Sequence, residues 1–426
     1  MKCLFRLDAN TNIGYGHYQR CLTLSEFLLK VSVDSYFFLN GDFKVPDSLK
    51  AKGGYHLSRY IARTSNINCE LSIEDQYSHA EEVLHKLYGI DFLIVDHYGL
   101  GQPFINVVKE NFRRLLVVLF DDFIRDLNLV DVIINPVANK KAYSQVKSQR
   151  CYYCVGNKFS VVSSCFLERR NESYNSKKLV WPIENCLVCF GGTDPNNLTE
   201  KFLSTEFYKY FKTVHIIMGG LSVNISSVRR RVADLPNVKL LIDGDMVEEM
   251  NWAHIMMGAP GSMSWERSVM SLPSFTWTFS DNQVETARYF SKNRATHLIG
   301  DSRDLEVEFP LEKFISIKEG DFKEMVDANN SLCDGLGGYR VALSIIIIHS
   351  GSTLRAVHDE DVDKVFSWQT ETDIRHYFNT PMPPTWQEHC KWFYDLTEWE
   401  RKHFYIIKVG KHDCGFVRLT KESGDN

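Results

Sequence analysis

The chain shows little of what marks a membrane, nucleic-acid-binding or disulfide-built protein. No run reaches the roughly 18 consecutive apolar residues that a spanning helix needs. The aliphatic run Ile345 to Ile348 stops after four residues. Positive charge is not in excess: 49 Lys+Arg against 54 Asp+Glu give a net charge of −5. Bulk attraction to nucleic acid or an anionic membrane is therefore not expected, and ligand phosphates would need a local pocket. No charged-then-apolar leader opens the chain; Met1-Lys2 runs straight into Cys3-Leu4-Phe5, Arg6 and Asp8. The expected compartment is the cytoplasm. The 11 cysteines are odd in number and scattered, which favours reduced thiols. Two C-x-x-C pairs, Cys151/Cys154 and Cys186/Cys189, raise the question of zinc. Cys186-Leu-Val-Cys189-Phe190 reads instead as a buried strand, whose residues three apart face opposite sides of the sheet. At 426 residues, with 24% charged and 44% hydrophobic residues, the chain has the composition of a soluble globular protein of two or three domains.

What is there is concentrated near the start. Arg6-Leu-Asp8-Ala-Asn-Thr-Asn-Ile-Gly14-Tyr-Gly16-His17-Tyr-Gln-Arg20 follows a short apolar run. It precedes a helical pattern with Cys21, Leu24 and Leu28 on one face. Strand, glycine loop and helix start together make an anion site, because the first helical N–H groups lack intrahelical partners. Glycines let a ligand approach the backbone closely. The loop is not the dinucleotide fingerprint, since Gln19 stands at the third glycine position, and it has no Gly-Lys-Ser/Thr of a Walker A loop. What sets it apart is the density of Arg6, Asp8, Gly14, Gly16, His17 and Arg20 at one strand end, where open α/β sheets bind ligands.

The stretch resembles the N-terminal signature of the UDP-2,4-diacetamido-2,4,6-trideoxy-β-L-altropyranose hydrolases of pseudaminic acid biosynthesis, R-x-D-A-x-x-x-I-G-x-G-H-x-x-R, at every specified position. Further along, Leu93-Ile-Val-Asp96-His97-Tyr98-Gly99 and Asp121-Asp122 resemble the same family. So does Asp334-Gly-Leu-Gly-Gly-Tyr-Arg340-Val, and the resemblance covers about residues 1 to 345.

Strands and helices alternate through most of the chain, the pattern of doubly wound parallel sheets. Strands are expected at 35–39, 91–97, 115–120 and 130–134 in the first half. They are expected again at 187–190, 215–218, 238–242, 254–257 and 274–277. The polar segment Arg169 to Lys178 reads as a linker between two lobes. The fold class expected is α/β and GT-B-like: two Rossmann-like lobes, 1–172 and 173–350, with a cleft between them, and a C-terminal segment, 351–426.

The resemblance implies that water attacks the anomeric carbon of a UDP-sugar, releasing UDP and 2,4-diacetamido-2,4,6-trideoxy-L-altrose. His17 is the expected general base, because imidazole titrates near neutrality. Asp8 would orient water, sugar hydroxyls or His17. Substrate contacts are expected from Arg6, Gly14, Gly16, Arg20, Asp96, His97 and Tyr98 in the first lobe. In the second lobe they fall to Gly191, Gly192, Thr193, Gly261, Ser262, Asn282 and Gln283, with Glu266 on the ribose and Met246 beside the uracil. For Asp96 a helix cap is the plain alternative, and for Glu266 a helix-dipole role. No cofactor or metal is expected; Asp243-Gly-Asp245 is the best objection, and it reads as a turn. Two other readings stay open: a MurG-like glycosyltransferase, and a non-catalytic nucleotide-sugar-binding scaffold.

The segment from Thr353 looks like the opening of a GNAT-type acetyltransferase, with a hairpin at 404–419. The acetyl-CoA pyrophosphate loop of that fold does not appear before Asn426. Trp386, Trp392, Phe393, Phe404 and Tyr405 are then expected to lack cover, and to dock an acetyltransferase or another pathway enzyme.

Overall fold

The computed structural model describes residues 1–9, 15–40, 55–60, 71–139, 141–143, 151–194, 196–220, 222–301, 311–371 and 382–419. The chain forms two compact units, Met1–Leu343 and Ser344–Asn426.

The first unit holds two parallel sheets. One contains β1 (Lys2–Leu7), β2 (Asp34–Asn40), β3 (Tyr55–Tyr60), β4 (Phe92–Asp96), β5 (Leu116–Phe120), β6 (Val132–Asn135) and β7 (Tyr152–Val155). Their order is β3-β2-β1-β4-β5-β6-β7. The other contains β8 (Asn185–Cys189), β9 (Thr213–Met218), β10 (Val238–Ile242), β11 (Ile255–Gly258), β12 (Ser274–Thr278) and β13 (Thr296–Asp301), in the order β10-β9-β8-β11-β12-β13. In each sheet the order reverses between the first strand and the fourth, and that switch point is where ligands bind in doubly wound folds. The strands read as unbroken apolar runs because helices cover both faces; every residue of β4 and β5 is buried.

Cys186 and Cys189 bear out the strand reading. Cys186 packs with Val188, Val214 and Phe275 in one apolar cluster, and Cys189 with Met256 and Trp265 in another. The linker expectation is corrected: Arg169 to Lys178 lies inside a helix, Ser164–Leu179. Its buried face hides from a hydrophobic-period search because two of its members are polar. Lys177 Nζ donates to Ser173 Oγ and, at 3.0 Å, to the Met250 carbonyl.

The Asp334–Val341 motif forms a seam between the lobes. Asp334 pairs with Arg340 through two hydrogen bonds of 2.8 and 2.6 Å. A Cβ on Gly337 would lie 2.0 Å from the Ser160 carbonyl oxygen, and one on Gly338 would lie 2.1 Å from the Phe27 ring. Only glycine allows this helix start to sit so close to the first lobe. Glu319–His349 is long and apolar enough, by length and composition alone, to cross a membrane, a feature the sequence count of apolar runs did not register. In the fold it is two helices, Glu319–Leu332 and Gly337–His349, with Val326, Val341, Ala342 and Ile345 buried.

The second unit has an antiparallel sheet of β14 (Thr353–Ala356), β15 (Phe404–Val409) and β16 (His412–Arg418), including the expected hairpin. The expectation of uncovered aromatics is corrected in part. Phe393 and Phe404 are buried with Val357, Val365 and Ile406, whereas Trp386 is exposed.

Candidate functional site

A cleft of about 490 Å³ opens between the two sheets of the first unit. Its first-lobe wall includes Tyr15, Gly16, His17, Arg20, Tyr98, Phe120 and Asp122. Its second-lobe wall includes Gly191, Gly192, Thr193, Gly261, Ser262, Glu266, Asn282 and Gln283.

β1 and β4 are neighbours, with Leu7 opposite Asp96. The helix after β1, Gly16–Lys30, therefore starts beside the end of β4. His17 Nδ1 lies 2.6 Å from Asp96 Oδ1. An ionised carboxylate can only accept, so Nδ1 carries the proton and Nε2 is left as an acceptor. Arg20 holds the same carboxylate through Nε at 3.0 Å and Nη2 at 2.7 Å. Burial alone would raise the Asp96 carboxyl, but the charge of Arg20 and the hydrogen bonds from His17 and Arg20 prevail and hold it well below the usual carboxylate range. Asp96 is thus neither a helix cap nor a residue of the cleft wall; it orients His17.

Arg6, Asp8 and His97 form a separate buried cluster, and none of them lines the cleft. The Gly99 N–H donates to His97 Nδ1 at 3.0 Å, which leaves the His97 Nε2–H to donate to Asp8 Oδ2 at 3.1 Å. Arg6 Nη1 donates to Asp8 Oδ1 at 2.6 Å and Arg6 Nη2 contacts His79 Nδ1 at 3.2 Å. Burial would raise Asp8, but Arg6 and His97 hold it far below its ordinary value. Burial first, then Arg6, lowers His79 to about 4. The structure thus gives Asp96, not Asp8, the place beside His17. Gly14 lies outside the described residues.

The second lobe presents small residues. Gly191, at φ +97°, turns the chain out of β8 in a conformation that suits glycine. Gly219 donates its N–H to the Gly192 carbonyl at 3.1 Å, and a Cβ on Gly219 would collide with that oxygen at 2.4 Å. Arg267, buried beneath the loop after β11, donates to the Ala259 carbonyl at 3.0 Å and to Ser264 Oγ at 2.8 Å. These bonds fix the turn that carries Gly261 and Ser262. Glu266 faces the cleft part-buried, and desolvation lifts its carboxyl to about 7 against the opposing pull of Arg267. Gln283 lines the cleft, but its Oε1 accepts the Phe279 N–H at 3.0 Å.

Other expected positions lie elsewhere. Met246 begins the helix Met246–Trp252, packs against an apolar cluster and is not in the cleft wall. Asp194, for which no site role was expected, caps the helix Leu198–Ser204 by accepting from Leu198 and Thr199 N–H at 2.9 Å each. Asp243 and Asp245 bear out the turn reading. Asp243 sits at φ +51° and accepts the Gly220 N–H, while Asp245 caps the next helix. Sequence reading left Asp122 without a role, although it stands just beyond β5 at the carboxyl edge of the sheet. That edge position was the signal for it. Tyr15, Phe190 and Thr286, also in the wall, had none.

Comparison with known proteins gives no matching family model. The chain is 24% identical to the UDP-2,4-diacetamido-2,4,6-trideoxy-β-L-altropyranose hydrolase of Campylobacter jejuni, over 68% of this chain and 97% of that protein. It is 23% identical to an uncharacterised protein of Methanocaldococcus jannaschii, over all of this chain and 85% of that one. Among solved structures it is similar to MurG of Acinetobacter baumannii, with TM-score 0.54 and 14% identity, covering 81% of this chain and 99% of that one. It is similar as well to S. aureus MnaA solved with UDP, with TM-score 0.53 and 12% identity, covering 81% of this chain and 96% of that one. At such identities the structural likeness speaks for the fold alone, and the fold is that of the GT-B proteins: two Rossmann-like lobes flanking a cleft.

Proposed function

We propose that the chain hydrolyses a UDP-sugar, UDP-2,4-diacetamido-2,4,6-trideoxy-β-L-altropyranose, to UDP and 2,4-diacetamido-2,4,6-trideoxy-L-altrose. The observation that carries this reading is His17 in the cleft wall with Asp96 behind it, the imidazole held in the tautomer that accepts at Nε2. Nε2 takes a proton from water as its oxygen attacks the anomeric carbon. The bond from that carbon to the diphosphate oxygen breaks, and UDP leaves with the electron pair. N–H groups around Gly191, Gly192, Gly261 and Ser262 stabilise the departing charge, and Glu266 accepts from the ribose hydroxyls. The likeness to the Campylobacter hydrolase over nearly that protein's whole length supports the choice of sugar.

The test is UDP release from this UDP-sugar by the purified chain, with the sugar product identified by mass and anomeric form. Steady release in water with no acceptor is expected. Release only when an acceptor sugar is supplied would make the protein a transferase, and binding without release a scaffold.

A further inference from the structure

A directed series of hydrogen bonds starts in the second lobe and ends at His17. Ser280 Oγ donates to Asn282 Oδ1, which orients the amide so that Nδ2 donates to the Tyr98 hydroxyl at 3.1 Å. The Tyr98 hydroxyl then donates to Asp122 Oδ2 at 2.7 Å. Asp122 receives both terminal nitrogens of Arg20 at 3.1 to 3.2 Å. Arg20 turns its Nε and Nη2 to the two oxygens of Asp96, and Asp96 takes the His17 Nδ1–H. The Tyr98 ring also meets the imidazole edge-on, with centroids 4.6 Å apart.

We propose that Tyr98, Asp122 and Arg20 are positioning residues whose bonds, completed across the cleft by Asn282, hold the Asp96–His17 pair in its reactive orientation when the lobes meet. This rests on the reading of His17 as the base. Each link has a fixed direction, from the Asn282 amide to the Tyr98 hydroxyl, from that hydroxyl to Asp122, and from the Arg20 fork to both carboxylates, so donor and acceptor cannot exchange roles along the series. The Asp96 side chain is fully buried, so its carboxylate has no water to replace a displaced Arg20. Arg20's planar fork serves two carboxylates at once, and rotation to follow Asp122 moves the donors on Asp96. His17 is then correctly held only when the second lobe is in contact, which ties base activation to a closed cleft.

The test uses the full chain with 15N-labelled histidine, reading the His17 ring nitrogens through its carbon-bound protons. Asn282→Ala should move the His17 signals although Asn282 does not touch His17, and Asp122→Asn should do the same. In the Tyr98→Phe background, Asn282→Ala should add no further shift. On turnover, the Asn282→Ala, Asp122→Asn double variant should fall within about twofold of the worse single variant, where independent roles would multiply. His17 signals unmoved by Asn282→Ala, or losses that multiply, would overturn the proposal. Were the wild type to release no UDP, the hydrolase reading would fail while the His17 signals still decided the relay.

Discussion

The two walls of the cleft are built from different materials. The first lobe presents charged and aromatic side chains locked to one another: His17, Arg20, Asp122 and Tyr98, with Asp96 behind them. The second presents three glycines, small hydroxyl and amide side chains and, among the described residues, one carboxylate, the part-buried Glu266, on a turn held from behind by Arg267. Moving a proton needs one ring nitrogen in one tautomer, which only a partnered side chain provides. Gripping a diphosphate needs backbone N–H groups at close range, which side chains would obstruct. On the proposed reading the contrast is one between chemistry and grip, and mutations on the two walls should separate turnover from UDP affinity.

The largest expected effect is on the first wall. His17→Asn should lower turnover by about 10²–10⁴-fold. UDP affinity should change little, since the nucleotide is assigned to the opposite wall. Near-normal turnover in this variant would remove His17 from the mechanism and end the contrast.

The second wall should answer in the other quantity. Glu266→Gln should weaken UDP binding by about 1.5–3 kcal/mol if the carboxylate accepts from the ribose; unchanged affinity by calorimetry would sink that assignment. The raised carboxyl of Glu266 also predicts a pH signature. A folded-state value of about 7 against an ordinary 4.5 means that the folded state keeps a proton the unfolded chain has lost. Stability from this group is complete below the unfolded value and is lost as pH rises through about 7. Without ligand, the Gln variant should match the wild type in Tm at pH 4 and exceed it at pH 8. Equal Tm values at both would show that Glu266 is not desolvated in solution.

How much of this was legible in the sequence depends on whether a signal was local. Strands buried on both faces, such as β5, announce themselves as apolar runs. The edge strand β7, with Tyr152 exposed, gives no such run and was not foreseen. His17 was legible because glycines and a helix start surround it in the chain. The Asp96 partnership was not, because it depends on β1 lying beside β4, with the two residues 79 positions apart. Asp8, close to His17 in sequence, drew a role that its bonds to Arg6 and His97 do not support. Asn282 was expected at the site, but its bond to Tyr98 spans 184 positions and two lobes. Lys177 shows the converse failure, a buried helical face written in polar letters.

The seam between the lobes offers a smaller effect. Gly337→Ala places a Cβ against backbone, the Ser160 carbonyl, which has no rotamer with which to yield. A loss on the order of 1–3 kcal/mol in stability is expected. Gly338→Ala meets a side chain, the ring of Phe27, instead of backbone, and should cost less. Denaturant midpoints for the two variants decide this, and the reverse order would mean that the helix start moves away from the first lobe.

The smallest expected effect is none at all, and it tests the composition of the second wall. Glycosyl diphosphates are often handled through a divalent ion held by carboxylates. The carboxylates that would suit such a role here are already committed. Asp243 Oδ1 accepts from Gly220 N–H at 2.9 Å, and Asp245 Oδ1 accepts from Val247 and Glu248 N–H at 3.0 and 3.2 Å. Neither residue lines the cleft. Asp96 and Asp122 both spend their charge on Arg20. Among the described residues of the second wall, backbone N–H groups and neutral hydroxyl side chains are at hand to meet the diphosphate, and these need no ion. Turnover in excess chelator should therefore equal turnover without it. A loss restored by Mg²⁺ or Mn²⁺ would mean that a metal carries the diphosphate, with Glu266 as its first candidate ligand on the second wall, and grip there would then be side-chain chemistry after all.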